Sequence, residues 1–407
     1  MPPHHPFSRR GRPIRQANRL KRVVGPSKKI SRASKTKPHV WAEVNLRKLR
    51  KNLKMIRSFL AGRPVEILAV VKADAYGHGI KEIARVLKSE GVSFFGVANL
   101  EEALELRKVC QKESILVLGS FHADQLPLYS KADIITTVSS VEDLRVLSLK
   151  LHKPLRVHVK IDTGMGRLGV WHEEADSFFK NLKKFGKNII LDGVYTHFSS
   201  ADSTDKRFTE KQIRLFEGCV KMILSMGFSP RYFHAANSMG LARFKKSHLN
   251  LVRPGILLYG VRPRHQKKLS KLQPILELKT RVSFLKHIKK GRPISYGATY
   301  RARKDTRVAT LPIGYSHGFR LGFSNKGFVI IRGNLCPVVG RVTMDQTVVD
   351  VGHLPKVKRW DEATLIGRDG GLELTVASLA DMIGTIPYEI FCSIHQRIPR
   401  IYKEIRR

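Results

Sequence analysis

Several residue types that could do chemistry stand at the ends of short apolar runs in this chain: Lys72, Ser139, Lys160 with Asp162, His197, Asn237 with Ser238, and Arg253. A lysine that closes a buried run loses solvation, which lowers its pKa and leaves a free amine able to form a Schiff base with a carbonyl. A histidine there can hold or move a proton near neutral pH, and an arginine offers a fixed fork of donors. Each has a duller reading: a lysine that snorkels at the surface, a histidine satisfied in the core, a serine in a turn. Ser139 fits the dull reading, but a lysine, a histidine and an arginine closing apolar runs are harder to dismiss.

Two local patterns suggest other chemistry and fail on context. Gly164-Met165-Gly166-Arg167-Leu168-Gly169 matches a dinucleotide fingerprint, but the next candidate for a ribose-binding acid is Asp192 and the loop follows the fifth apolar run, where that motif belongs to the first strand. Gly314-Tyr315-Ser316-His317-Gly318 matches a nucleophile elbow. That motif needs a helix directly after the serine, and Phe319 to Ser324 is a poor one.

The reactive positions follow from a repeated pattern. Eight β-branched runs, Val65–Lys72, Phe94–Asn99, Ile115–Ser120, Ile134–Ser139, Arg156–Asp162, Ile189–His197, Tyr232–Ser238 and Leu251–Gly255, alternate with helical-period stretches such as Gly79 to Glu90 and Leu100 to Lys108. This is the spacing of βα units with parallel strands. Eight of them predict a (β/α)8 TIM-like barrel, whose chemistry gathers at the carboxyl ends of the strands. Beyond about residue 275 the spacing becomes hairpin-like, with runs Arg281–His287, Val308–Leu311, Gly327–Ile331, Val338–Arg341, Thr347–Val351 and Ala363–Gly367 and a turn at Arg332-Gly333-Asn334. The expected chain is α/β: a basic disordered extension over 1–37, the barrel over 38–275, and a mainly β C-terminal domain over 276–407, which Val40–Leu46 could join.

With 407 residues, 42% of them hydrophobic, and only 31 Gly and 19 Pro, a largely disordered or collagen-like chain is excluded. No stretch approaches the roughly 18 apolar residues of a membrane span. Four scattered cysteines, Cys110, Cys219, Cys336 and Cys392, fit neither a disulfide framework nor a CxxC metal site, so a reducing, cytoplasmic setting without a metal is expected. Lys and Arg number 75 against 33 acids, a net +42 that alone would suggest nucleic acid or an anionic surface. Twelve of these cations and no acid lie within residues 1–37, leaving +30 for the rest. That tail lacks the apolar core of a secretory signal, and its five prolines spoil a targeting helix. It reads as a solvated extension able to touch polyanions.

The segment Ala69-Val70-Val71-Lys72-Ala73-Asp74-Ala75-Tyr76-Gly77-His78-Gly79 resembles the pyridoxal-phosphate lysine motif of alanine racemases. Further blocks agree in order: Lys160 to Gly169, Tyr195-Thr196-His197-Phe198, Ala236-Asn237-Ser238, Val252 to Ile256, Ser295 to Tyr300, Pro312 to Tyr315, Gly340 to Gln346, and Tyr388-Glu389. The likeness covers residue 39 to about 402, and only the tail falls outside.

This resemblance implies a homodimer with shared active sites that uses pyridoxal 5'-phosphate to interconvert L- and D-alanine, supplying D-alanine for peptidoglycan. By it, Lys72 would carry the cofactor and act as base on one face of the substrate Cα, and the partner subunit's Tyr296 would act on the other. Two groups are needed because a proton taken from one face must be replaced on the opposite one. Tyr76, Ser238, the backbone of Gly255 and Ile256, and Tyr388 would hold the phosphate, with Asn237 beside them. Arg253 would face the pyridine nitrogen without protonating it fully, and His197 would link Arg253 to Tyr296. Arg167 would reach the cofactor hydroxyl and the substrate carboxylate, with the backbone of Met344 assisting. Lys160 matches a lysine that is often carbamylated, and Tyr315 and Ile386 match residues lining the entrance. His317 departs from the family, which often has an acid there.

A broader serine or lysine racemase on the same scaffold is the nearest rival. A barrel-only pyridoxal-binding protein would not need the β domain, and a related decarboxylase would need an acid where this chain has Arg253. A nucleic-acid-binding protein would show steep salt dependence and no cofactor requirement.

Overall fold

The computed structural model describes residues 38–60, 62–262, 266 and 269–404. The extension expected over 1–37 lies outside the described residues. From His39 onward the chain forms one compact unit.

The first strand, β1 (Val40–Asn45), belongs to the sheet of the C-terminal part, as its sequence suggested. It runs antiparallel to β11 (Leu276–Arg281) and parallel to β21 (Arg400–Lys403). Asn45 then caps α1 (Leu46–Ser58), accepting the Lys48 N–H at 2.9 Å, as a short polar side chain does at a helix start. The helix buries Leu46, Leu49, Leu53 and Ile56 at helical spacing, together with Asn52. The Asn52 amide donates to the carbonyls of Leu258 and Gln273 at 3.0 and 2.9 Å and accepts the Gln273 N–H. It thus pins the chain that leaves the barrel.

All eight expected parallel strands form: β2 (Glu66–Val70), β3 (Phe94–Val97), β4 (Ser114–Val117), β5 (Thr136–Val138), β6 (Leu155–Asp162), β8 (Ile189–Tyr195), β9 (Tyr232–His234) and β10 (Leu251–Val252). They pair in two runs, β10-β2-β3-β4 and β5-β6-β8-β9. Parallel bridges Leu116–Ile135 and Asn237–Arg253 join the runs and close the barrel. The short β7 (Val170–Trp171) adds to β6. Strands such as Phe94-Phe95-Gly96-Val97 are buried throughout, which is why they read as continuous apolar runs. The connecting helices α3 (Ile80–Ser89), α4 (Leu100–Arg107), α5 (Leu126–Lys131), α6 (Val141–Lys150), α7 (Ala175–Phe185) and α8 (Arg207–Ser225) each bury one apolar stripe.

The C-terminal part holds a sheet ordered β17-β16-β19-β11-β1-β21, a three-stranded sheet β12-β15-β18 and the pair β13-β14. These strands are β12 (Phe284–Ile288), β13 (Pro293–Ile294), β14 (Tyr300–Arg301), β15 (Thr306–Leu311), β16 (Phe328–Ile331), β17 (Asn334–Pro337), β18 (Thr347–Asp350) and β19 (Glu362–Asp369), with β20 (Leu372–Leu374) paired to β19. Two expectations change. The run Arg281–His287 is two strands, because the chain leaves one sheet at Arg281 and enters the other at Phe284. Val338–Arg341 is not a strand: Val338 bridges Val349, and the N–H groups of Val338 and Val339 donate to the carbonyls of Gly327 and Val348 at 2.8 and 2.9 Å. The two-residue turn Arg332-Gly333, with φ of 51° and 72°, sets Ile331 opposite Asn334, so pairing begins at once and is spent by Pro337. Among the described residues no helix is long and apolar enough to cross a membrane.

Candidate active site

Lys72 follows β2 and opens α2 (Lys72–Gly77), whose next four residues, Ala73 to Tyr76, turn the opposite way to an ordinary helix, with φ of 53–54° and ψ of 42–52°. Left-handed geometry costs roughly 1–2 kcal/mol per L-residue, so the surroundings must enforce it. Glu102 accepts the Ala73 N–H at 2.7 Å and the Ala98 N–H at 2.8 Å. Asp74 accepts the Ile80 N–H, and the His78 Nδ1–H is shared between the carbonyls of Ala75 and Tyr76. Arg400 donates to Gly77 and to the carbonyls of Ile394, His395 and Ile398. The turn carries Tyr76 back over the barrel mouth, where a Cβ on Gly255 would lie 2.5 Å from its hydroxyl. Burial, and next the Arg167 charge, pull the Lys72 pKa down against the opposing charges of Glu102 and Cys392.

Lys160, at the carboxyl end of β6, is 3% exposed and lies 5.7 Å from the Tyr195 ring centre. Burial and the charges of Arg167 and Arg253 push its pKa down to about 8. Arg253 is equally buried. Its Nη1 donates to His234 Nδ1 at 2.8 Å, and Nη2 to the carbonyls of Thr196 and Ala235 at 2.6 and 3.1 Å and to His197 Nδ1 at 3.3 Å. Burial brings its pKa to about 10, which leaves it charged at neutral pH. His197 is held well below the usual imidazole range by burial and by Arg253, so it is neutral.

The nearby acid is already engaged. Asp162 Oδ1 accepts the N–H groups of Gly164 and Met165, and Oδ2 those of Gly166 and Arg167, at 2.7–3.2 Å. The loop that mimics a dinucleotide fingerprint therefore wraps a carboxylate of its own chain. The mouth gathers Lys72, Lys160, Arg167 and Arg253 around two acids, Glu102 and Asp162, whose oxygens are taken up by backbone amides. Such a site attracts anions.

On the adjoining wall, Ser238 opens α9 (Ser238–Arg243), and its Oγ accepts the Gly255 N–H at 2.9 Å. The Tyr76 ring lies between Tyr259 and Tyr388, at 4.8 and 5.8 Å. Tyr388 rides on α11 (Pro387–Ser393), which Ile386 precedes, after α10 (Val376–Ile383). Ile256 is buried beside Gly255. Asn237, expected beside the phosphate contacts, caps α9: its Oδ1 accepts the Gly240 N–H, while its Nδ2 donates to the Phe198 carbonyl in the loop after β8.

The remaining candidates form a second cluster. Tyr296, Met344 and Tyr315 are 72%, 55% and 46% exposed. Ser295 Oγ bonds the Arg341 carbonyl, and the N–H groups of Tyr315 and Ser316 bond the carbonyls of Thr343 and Met344. No described hydrogen bond or ring contact joins Tyr296 to Lys72, His197 or Arg253. The elbow-like Ser316 donates to Asp345 at 2.7 Å, while His317 receives no carboxylate bond. A Ser-His-Asp relay is therefore absent there.

Three residues escaped the sequence reading. His234 and His158 sit within barrel strands, and Asp192 had been weighed only as a ribose ligand. Their signal was a polar residue set among apolar ones in Arg156-Val157-His158-Val159 and Tyr232-Phe233-His234.

Fold and site together define a barrel enzyme with a partly desolvated lysine and an anion-collecting mouth, followed by a β domain that presents an exposed tyrosine. Residues 44–263 match the family model for the alanine racemase N-terminal domain, and 275–402 that for the C-terminal domain. The chain is 40% identical over 372 residues to the alanine racemase of Carboxydothermus hydrogenoformans, covering 89% of this chain and 99% of that one. It is 42% identical over 370 residues to that of Geobacter sulfurreducens, covering 89% and 96%. Alanine racemase from Bacillus anthracis with bound L-Ala-P superposes with a TM-score of 0.86 at 34% identity, over 91% of this chain and 96% of that one. The Bartonella henselae enzyme with covalently bound pyridoxal phosphate gives 0.82 at 30%, over 90% and 100%. The chain belongs to the alanine racemase family.

Proposed function

We propose that this protein interconverts L- and D-alanine with pyridoxal 5'-phosphate, as a cytoplasmic homodimer whose D-alanine serves peptidoglycan synthesis. One observation carries the reading: a half-buried lysine of lowered pKa among three further cations, with the nearby carboxylates already engaged by backbone amides. The donor set fits a phosphate-bearing aldehyde and a carboxylate substrate. Lys72 would bond the aldehyde carbon. Tyr76, Ser238, the backbone of Gly255 and Ile256, and Tyr388 would hold the phosphate.

Bound there, pyridoxal phosphate would supply an electron sink that weakens the covalent C–H bond at the substrate Cα. Lys72, whose pKa burial and Arg167 lower, would take or return the proton on one face. The partner subunit's Tyr296 serves the other face, which the exposure of Tyr296 and its separation from the barrel mouth support. Among the described residues the hydrogen bonds of Arg253 run from Nη1 and Nη2, which leaves Nε to donate to the ring nitrogen. A guanidinium keeps its proton, so Arg253 would leave the ring nitrogen without a full positive charge. His197 accepts from Arg253 and would couple it to the partner subunit's tyrosine. Arg167, with the Met344 backbone, would pair the substrate carboxylate. With a pKa near 8, Lys160 has free amine to take up carbon dioxide as a carbamate, which would replace a cation beside Arg167 with a carboxylate that pairs with it and orients it. Tyr315 and Ile386 would narrow the entrance.

Four unpaired thiols, Cys110, Cys219, Cys336 and Cys392, support a reducing compartment. The twelve cations of residues 1–37 would serve polyanion contact separate from turnover. Deleting them should leave turnover nearly unchanged while weakening salt-sensitive binding to polyanions.

The test is to purify the protein, record the visible absorption of a lysine-bound cofactor, and follow the optical rotation of L-alanine, L-serine and L-lysine. Rapid loss with alanine alone bears out the proposal. Equal rates with serine or lysine would establish the broader racemase instead.

A further inference from the structure

Below Arg253 a row of polar side chains crosses the barrel interior. Arg253 Nη1 lies 2.8 Å from His234 Nδ1, His234 Nε2 lies 2.8 Å from His158 Nδ1, and His158 Nε2 lies 3.2 Å from Asp192 Oδ2. Both histidines are fully buried, and the Asp192 carboxylate is largely so.

The direction of every proton in this row follows from its first member. A guanidinium only donates, so His234 Nδ1 must accept. A neutral imidazole with a free Nδ1 carries its hydrogen on Nε2, which then donates to His158 Nδ1. The same logic places the His158 hydrogen on Nε2, aimed at Asp192. The row works only with both imidazoles neutral, because a second proton on His234 would set N–H against N–H. Burial, and for His234 the adjacent Arg253 charge, hold both histidines below their usual range. Asp192 is brought below the usual carboxylate range despite burial, chiefly by the His158 bond and by Arg156 at 4.0 Å.

The surroundings are shaped to this row. A Cβ on Gly193, which pairs with His158 across β6 and β8, would lie 2.6–2.8 Å from three atoms of the His158 ring. The His234 ring stacks on Tyr195 at 4.8 Å and 11°, and the Arg253 guanidinium carbon lies 5.2 Å from the centre of that same ring.

We propose that His234, His158 and Asp192 are positioning residues for Arg253: a one-way hydrogen-bond chain, anchored by a carboxylate, that orients the guanidinium toward whatever the barrel mouth binds. The inference rests on the proposed racemase reading for its effect on turnover, but the chain itself can be tested without it.

Nitrogen-15 NMR of histidine-labelled protein, with and without added pyridoxal phosphate, should show His158 and His234 as neutral Nε2–H tautomers at neutral pH. Either ring cationic, or protonated on Nδ1, overturns the proposal whatever the protein catalyses. In the loaded enzyme, Asp192→Asn keeps an acceptor and removes the charge. It should lower kcat about tenfold with KM changed less than about twofold, and Asp192→Glu should restore most of the loss. Wild-type kcat in Asp192→Asn overturns the proposal. If the tautomers are as expected and no amino acid is racemised by the wild type, the chain stands and the racemase reading fails.

Discussion

Arg400 donates two hydrogen bonds, at 3.1 and 3.0 Å, to the carbonyl oxygen of Gly77, more than three hundred residues earlier in the chain. Gly77 ends the left-handed turn that begins directly after Lys72, so the far end of the sequence holds the strained segment in place. Replacing Arg400 with Met should cost about 2–3 kcal/mol, the worth of charged donors lost to partly buried carbonyls, and should slow the capture of pyridoxal phosphate by Lys72. Urea unfolding and the rate of borohydride-fixed label measure the two effects. An unchanged midpoint and rate would mean that the turn holds itself.

The two clusters of candidate residues predict complementation. Lys72→Ala and Tyr296→Phe proteins should each be nearly inactive, yet co-expressed they should recover about a quarter of wild-type activity, because half the dimers are mixed and half of their sites are whole. Mixed dimers isolated through two different tags and still inactive would refute shared sites.

Acid should destabilise this protein unusually early. His78 is pushed down to about 3, and His158, His197 and His234 are lowered too, each chiefly by burial. Their stabilising contribution is complete above the unfolded imidazole pKa. It declines as pH falls through about 6.5, by up to ~1.4 kcal/mol per pH unit for each histidine, since the unfolded chain binds protons that the folded one refuses. For His78 the decline continues to about pH 3. Denaturant midpoints compared at about pH 7.5 and 5.5 should differ clearly, and equal midpoints would contradict the assignment of neutral imidazoles.

Gly255 can be tested through Tyr76. Gly255→Ala drives a methyl against the Tyr76 hydroxyl and should cost roughly 1–3 kcal/mol of stability, with weaker binding of pyridoxal phosphate. Adding Tyr76→Phe removes the closest atom, so the double variant should regain stability over Gly255→Ala. A double variant no more stable than the single would locate the clash elsewhere.

The barrel was legible because its strands are buried on both faces and read as apolar runs, and because each reactive residue stands where such a run stops. The C-terminal part was harder. Val338–Arg341 has the composition of a strand, yet the ladder it would extend is set by the φ of Arg332 and Gly333 and ends earlier. Asn237 was read as a cofactor contact because it adjoins Ser238, and only the geometry of α9 reveals the capping role of its amide. The row from Arg253 to Asp192 joins residues 19 to 76 positions apart. A lone histidine in each of two apolar strands and a glycine in β8 hint at its members, but no local pattern shows that they bond one another.

The placement of β1 bears on how the molecule is made. This strand leaves the ribosome early, yet its two neighbours lie at Leu276–Arg281 and Arg400–Lys403. While the whole barrel is being synthesised, Val40 to Asn45 carries two unpaired edges, an invitation to stray association. Its sheet closes only after Arg400–Lys403 has emerged, long after the barrel, so the nascent chain should depend on holding factors until then, and a chain stopped before Arg400 should aggregate even with its barrel complete.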